Sequence, residues 1–378
     1  MHELDIEVVN DPYFINFIKK RKLSESTERV YNGRLSSFCK FLGKSPSELI
    51  KEAQKEKGQI IDEYFHDYIE NLKKSGKSSN TIINRIDTLK AFYKEYNIGT
   101  DSINRIISPE TENLTPKKII SEDQIKEALE LSSLRDKAII LLHMSSGMEA
   151  TELRHLTYGD FINSIEECID LESKDKLNVN KIADKLSKMN EVVGTWKIEK
   201  NRTETSYVTF NTSESTKAIL SYLVDRERKN KLIKSLKDPL FVNSQNQALN
   251  VSAHGSIFKR INNRANFGYL TKKRRFFSST MLRKYFKYKL YESGIDKNEI
   301  NAILGQKLDA DIDYHSDAEM ERLKNKYLLA LGNLSLEKAD IENVTSAEYK
   351  KLLKKLNEKD KELEEIKKHL DYIKSIIE

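Results

Sequence analysis

Cysteine, proline and glycine are all scarce in this chain, and each scarcity narrows its class. Five prolines and 13 glycines in 378 residues supply too few turn-formers for a sandwich or barrel, while 33% charged residues suit solvated helix faces. The two cysteines, Cys39 and Cys168, stand far apart with no metal-ligand spacing. No disulfide framework and no zinc site are therefore expected, and a reducing compartment is. No apolar run approaches the roughly 18 residues a membrane span needs, and no signal peptide opens the chain. The expectation is a soluble, cytoplasmic, mainly α-helical protein with a small β-sheet and without metal or small-molecule cofactor.

Charge of neither sign dominates. The formal net charge of +6 is a mild basic excess that permits a polyanionic partner without establishing one; its distribution matters more. From Thr271 to Tyr291 there are eight Lys or Arg and no Asp or Glu. Within that block Met281, Leu282, Tyr285, Phe286 and Leu290 recur at helical spacing, so one face can be buried. Arg283, Lys284, Lys287 and Lys289 remain for another partner. Gly294 stops this helix, a second short helix runs from Lys297 to Leu304, and Gly305 ends it before a turn to Tyr314.

Taken in order, residues 1–10 read as an acidic lead-in. Asp11-Pro12 is a helix start, with Asp as N-cap and Pro at the first helical position. Residues 11–98 then carry several amphipathic helices, the last from Ser79 to Tyr96 with Ile82, Ile86, Leu89, Phe92, Tyr93 and Tyr96 as its apolar stripe. This segment has 17 Lys or Arg against 12 Asp or Glu, so it is net basic. Residues 99–121 have little periodicity and read as a linker, in which Lys117 and Lys118 suit a phosphate contact. A second domain follows over residues 122–335. Asp136 to Ser146 and Met148 to Leu156 read as helices, Glu167 to Leu171 as a strand, and the Lys- and Asp-rich stretch after it as a solvated insertion. Thr195–Glu199 and Ser206–Phe210 alternate as two strands around a basic turn, and Pro239–Val242 as a short strand. A helix is expected from Ala318 to Leu331. Over residues 346–378, Tyr349, Leu356, Leu363, Leu370 and Ile377 fall at a, and Leu352, Ile366 and Ile373 at d, of a heptad whose polar d residue is Lys359. That pattern fits a short coiled coil, or one amphipathic helix packed on its own domain.

The block from Phe276 to Tyr314 resembles the catalytic half of the tyrosine recombinases, the phage-type and archaeal-type integrases. That family's His-x-x-Arg, Leu-Gly-His and nucleophilic Tyr fall here on Thr280-x-x-Arg283, Leu304-Gly305-Gln306 and Tyr314. Its first box, S-G-L-R-x-x-E-L-x-x-L-x-x-x-D, matches at Gly147, Glu152, Leu153, Leu156 and Asp160, but the Arg position is Glu149. Its general-acid Lys lies in a hairpin turn, here Lys200-Asn201-Arg202-Thr203, so Lys200 or Arg202 takes that place. The helical segment 11–98 is similar to the family's core-binding domain, with Ser24, Thr27, Tyr31, Leu35 and Phe38 in its phrase. What the resemblance implies is a double-stranded DNA partner and a homo-oligomer on DNA, dimer or higher, with the tail as coiled coil. Lys117, Lys118, Lys272, Lys273, Arg274, Arg275, Lys284 and Lys287 would meet DNA. Tyr314 would attack a phosphodiester to give a 3′-phosphotyrosine, with Tyr327 as the other candidate nucleophile.

Chemistry divides the readings. The barrier to phosphoryl transfer is chiefly the charge of the pentacoordinate phosphate, so cations do most of the catalysis. Arg283 is present; Thr280 and Gln306 can donate hydrogen bonds but bring no charge; Glu149 brings the wrong sign. Three readings follow: a DNA-binding member with impaired strand cleavage, an active recombinase working through Tyr314, and a protein-interaction scaffold using its tail.

Overall fold

The computed structural model describes residues 8–55, 59–100, 119–189, 191–200, 205–271, 274–306 and 316–336. The lead-in 1–7, the tail 346–378, Lys117, Lys118, Arg202, Lys272, Lys273 and Tyr314 lie outside the described residues, as does the side chain of Lys200. The chain divides into two compact units, Met1–Lys117 and Lys118–Glu378.

The first unit is a five-helix bundle among its described residues. Asp11 caps α1 (Pro12–Arg21) by accepting from the Tyr13 backbone N–H at 2.9 Å. Its second carboxylate oxygen accepts from the Ser47 backbone N–H at 3.0 Å and the Ser47 hydroxyl at 2.7 Å. One side chain thus satisfies the orphan donors of two helices, α1 and α3 (Pro46–Lys55). Between them α2 (Glu25–Leu42) starts at Ser24 and stops at Gly43, where φ is 68°. α4 (Gln59–Lys74) and α5 (Ser79–Glu95) close the bundle over Phe14, Phe17, Phe38, Phe65, Phe92 and Tyr93, all buried. The stripe read for α5 is buried from Ile82 to Tyr93, whereas Tyr96 is half-buried and donates its hydroxyl to the Tyr13 carbonyl.

In the second unit the element order is α6 (Glu122–Glu130), α7 (Leu134–Ser146), α8 (Ala150–His155), α9 (Tyr158–Ser164), α10 (Val179–Ser187), β1 (Gly194–Lys200), β2 (Thr205–Asn211), α11 (Ser213–Arg228), α12 (Val251–Arg264), β3 (Tyr269–Thr271), β4 (Arg274–Arg275), α13 (Ser279–Glu292), α14 (Lys297–Ile303) and α15 (Asp317–Leu334). Helix α7 is the axis. Every residue from Ala138 to Ser146 is buried, because α11, α13 and β2 pack around it. Strands β1 and β2 pair antiparallel from Gly194 opposite Asn211 to Lys200 opposite Thr205, and β3 pairs with β4 in a separate ribbon.

Three sequence expectations change here. No strand forms over Glu167–Leu171: the Cys168 and Ile169 N–H groups both bond back to the Ile165 carbonyl, at 2.9 and 3.1 Å, and so are spent locally. The supposed solvated insertion contains α10, whose Val179, Ile182 and Leu186 are buried at i, i+3 and i+7 while Lys and Asp face out. Pro239–Val242 makes only isolated bridges, Thr157 with Pro239 and Val242 with Ala248. Among the described residues, no helix is long and apolar enough to cross a membrane and no group of three or more His, Cys, Asp or Glu could hold a metal ion.

Candidate active site

Helix α13 orients the candidate residues. Ser278 caps it, accepting from the Met281 N–H at 3.3 Å, and Met281, Leu282, Tyr285, Phe286 and Leu290 bury the face read from the sequence. Thr280, Arg283 and Lys287, spaced by three and four, share another face; Thr280 and Lys287 are exposed and Arg283 is largely covered.

Arg283 is a clamp between two turns distant in sequence. Its Nη1 donates to the Gly147 carbonyl, and its Nη2 donates to the Leu304 carbonyl at 2.9 Å. The first carbonyl closes α7 and the second closes α14, so one guanidinium satisfies a helix end on each side. Both turns demand glycine. At Gly147, with φ of 65°, a Cβ would lie 2.3 Å from the Phe286 ring; at Gly305, with φ of 58°, 2.5 Å from the Tyr207 ring. The two glycines of the sequence motifs thus let backbone pass close enough to Arg283 to be held.

Glu149 stands beside this clamp. Its Oε1 is 3.5 Å from Arg283 Nη2; the carboxylate side chain is 55% exposed and the guanidinium side chain 14%. The position that the sequence frame assigns to a second cation therefore holds the counter-ion of the first. The Glu149 backbone N–H donates to Glu152 Oε2 at 2.6 Å, and the same oxygen accepts from the Tyr207 hydroxyl at 2.7 Å. Burial, then the Glu152 carboxylate, pushes the Tyr207 phenol far above its ordinary range. Gln306 is exposed two residues beyond the clamped Leu304. Its Oε1 accepts from Lys287 Nζ at 3.1 Å, and Lys287 also reaches Asn301 Oδ1 at 3.3 Å. Arg283, Glu149, Lys287 and Gln306 are thus brought together, with Thr280 one helical turn away.

The remaining candidates sit elsewhere. Arg274 is exposed on β4; Arg275 donates through Nε to Asn263 Oδ1 at 3.2 Å and lies 5.6 Å from the Tyr269 ring centroid. Lys284 is half-buried on α13. Tyr327, the second nucleophile candidate, is fully buried and donates its hydroxyl to the Ser145 carbonyl at 2.9 Å. Burial drives its phenol well above the ordinary range, and the same packing leaves its hydroxyl without access to a phosphate.

Sequence reading missed a buried histidine pair behind the site. His143 Nδ1 lies 3.0 Å from the Met148 carbonyl, and His143 Nε2 lies 3.0 Å from His254 Nε2. A carbonyl only accepts, so Nδ1 carries the His143 proton, Nε2 accepts, and His254 donates. Burial, then the neighbouring His254, pushes His143 down to about 3; burial, then Arg154, pushes His254 down to about 4. The pair therefore stays neutral and pins the peptide immediately before Glu149. Its one sequence signal was a lone imidazole inside the apolar run of α7.

Residues 118–315, just over half of the chain, match the phage integrase family model, and residues 11–96 match the phage integrase N-terminal SAM-like domain. This chain belongs to the phage integrase family. The first match spans the clamp, Glu149, Gln306 and Tyr314. The TTE1313 protein of Caldanaerobacter subterraneus subsp. tengcongensis, provisionally named a tyrosine recombinase, is 29% identical over 158 residues, 39% of this chain and 51% of its own length. The aligned part thus spans about half of that relative. Among solved structures, a lambda integrase dimer bound to a core site covers 82% of this integrase-family chain and 94% of its own, at 14% identity and a TM-score of 0.52. The Tn1549 transposon integrase, in complex with circular intermediate DNA, covers 82% and 93% at 15% identity and a TM-score of 0.50. At such identities the likeness is one of fold.

Proposed function

We propose that this integrase-family chain binds double-stranded DNA in the recombinase manner and that its strand cleavage is impaired. One observation carries the second half: Glu149 lies 3.5 Å from Arg283, where a scissile phosphate would need its second cation. In a recombinase the attacking phenol turns a monoanionic phosphodiester into a dianionic pentacoordinate species, and paired guanidinium groups stabilise that gain of charge. Loss of one such donor costs about 3–4 kcal/mol. A carboxylate in its place adds repulsion, about 1 kcal/mol in water and up to ~4 kcal/mol at an effective dielectric of 20, for charges ~4 Å apart. Arg283 is in addition held by two carbonyls and the Glu149 carboxylate, so a phosphate competes for its donors. DNA binding itself is supported by the integrase-family membership, by the basic run from Thr271 to Tyr291 and by the net basic N-terminal unit.

A second reading, an active recombinase attacking through Tyr314, is favoured by the retained Arg283 and by Lys287 standing beside Gln306. One experiment separates the two. Wild type, Tyr314→Phe and Glu149→Arg are incubated with supercoiled plasmid, binding is checked by gel shift, and covalent adducts are resolved on a denaturing gel. Impaired cleavage predicts binding by all three and an adduct only with Glu149→Arg. A wild-type adduct that Tyr314→Phe abolishes establishes the second reading, and absence of salt-sensitive DNA binding removes both.

A further inference from the structure

The described fold of the second unit ends at Leu336, and it ends beside an apolar groove. Ser335 donates its hydroxyl to Glu214 Oε1 at 2.6 Å, and the Leu336 N–H donates to Glu214 Oε2 at 3.2 Å. Glu214 belongs to the first turn of α11. The groove begins within one turn of it and follows the same helix: Leu220 and Val224 of α11 form its floor, with Leu186 of α10, Val192 and Leu134 as its walls, around a volume of about 580 Å³. Leu134 is 42% exposed at its mouth. A largely apolar trough of this kind, open to water, is one an amphipathic segment can fill.

We infer that this groove is the docking site for the chain's own C-terminal segment, the first two heptads from Tyr349 to Leu363. Three facts favour that occupant. Twelve residues separate Leu336 from Tyr349; at about 3.3 Å each they reach ~40 Å, well beyond the ~21 Å length of α11 from Glu214 to Arg228 at 1.5 Å per residue. A tether of that length holds the segment at an effective concentration on the order of millimolar, above what two dilute copies offer each other. Charge then discriminates between the two occupants. The segment's apolar seam is interrupted by Lys359 at a d position, and in a parallel pair of copies that ammonium faces its own counterpart across the seam. On the groove that ammonium can instead approach one carboxylate, Asp225, itself 2.6 Å from Lys229, on a rim that also carries Lys217 and Arg228.

Hydrogen exchange on the full-length chain tests this, with peptides covering residues 346–378 followed at two protein concentrations tenfold apart. Amides of 349–363 are expected to be protected to the same degree at both. Val224→Glu and Leu134→Glu, each placing a carboxylate in the groove, are expected to accelerate their exchange at least tenfold while α7 amides keep wild-type protection. Leu134 is exposed, so its variant retains the fold if the partly buried Val224 site does not tolerate the charge. Absence of protection overturns the inference. So does protection that rises with protein concentration and ignores both groove variants, since a second copy would then hold the segment.

Discussion

Replacing Glu149 by Gln isolates the effect of one charge at the candidate site. The amide keeps the size and hydrogen-bonding reach of the carboxylate, so the contact with Arg283 at 3.5 Å can persist without its ionic part. In the free protein the loss is small. The carboxylate is more than half exposed, and an ion pair so solvated contributes at most ~1 kcal/mol. In the proposed DNA complex the change is favourable. A phosphate held by Arg283 would lie about 4 Å from residue 149, where like charges repel by ~1 kcal/mol in water and ~4 kcal/mol at an effective dielectric of 20. The exposure of Glu149 places the site toward the lower end, ~1–2 kcal/mol, or about 5–30-fold in affinity. Loss of the competing ion pair acts in the same direction. Fluorescence anisotropy with a labelled duplex, titrated at several salt concentrations, reads both quantities. Glu149→Gln is expected to bind more tightly, with a steeper salt dependence, because about one further phosphate is neutralised and each contributes ~0.9 to the logarithmic slope. Equal or weaker binding, with an unchanged slope, would mean that no phosphate approaches Arg283, and the argument from Glu149 would fail.

Other predictions test the frame around that site. Gly305→Ala combines a left-handed backbone with a Cβ 2.5 Å from the Tyr207 ring; at least ~3 kcal/mol of destabilisation is expected, read as a lowered urea midpoint. The buried histidines give a pH test. As pH falls below 6.5, the ordinary value, the unfolded chain protonates both rings, while the folded rings stay neutral until about 4 for His254 and about 3 for His143. The unfolded state then binds more protons, so stability is full above pH 6.5 and is lost on acidification. Between pH 6.5 and 4.5 the unfolding free energy of wild type should drop about 2 kcal/mol further than that of His254→Gln, which lacks one titrating ring; parallel curves would refute this. Asp136, buried on α7, pairs with Arg135 at 2.9 Å and also with Arg260. Asp136→Ala removes the anion of two partly solvated guanidinium groups and should cost about 1–3 kcal/mol, measured by denaturant unfolding.

The amino-acid sequence by itself determined the local elements and the frame of the site. The 3.6-residue period placed the buried face of α13, the alternation placed β1 and β2, and Asp11 marked a helix start, because these signals act between residues a few positions apart. The glycines at 147 and 305 were visible as motif letters, and Arg283 as the Arg of its box. The tertiary structure decided what those letters touch. Arg283 meets the Gly147 carbonyl from 136 residues away, and His143 meets His254 from 111; no local periodicity encodes such pairings. The same holds for Tyr327, which the sequence left as a plausible nucleophile and the packing of α15 buries against α7. Helix α10 was misread because its three apolar residues are diluted by Lys and Asp, and only α11 lying alongside shows that those three suffice. Glu149 shows the division most sharply. The sequence marked it as a charge of the wrong sign; the fold placed that charge on Arg283, because a carboxylate beside a largely covered guanidinium is the nearest anion available to it.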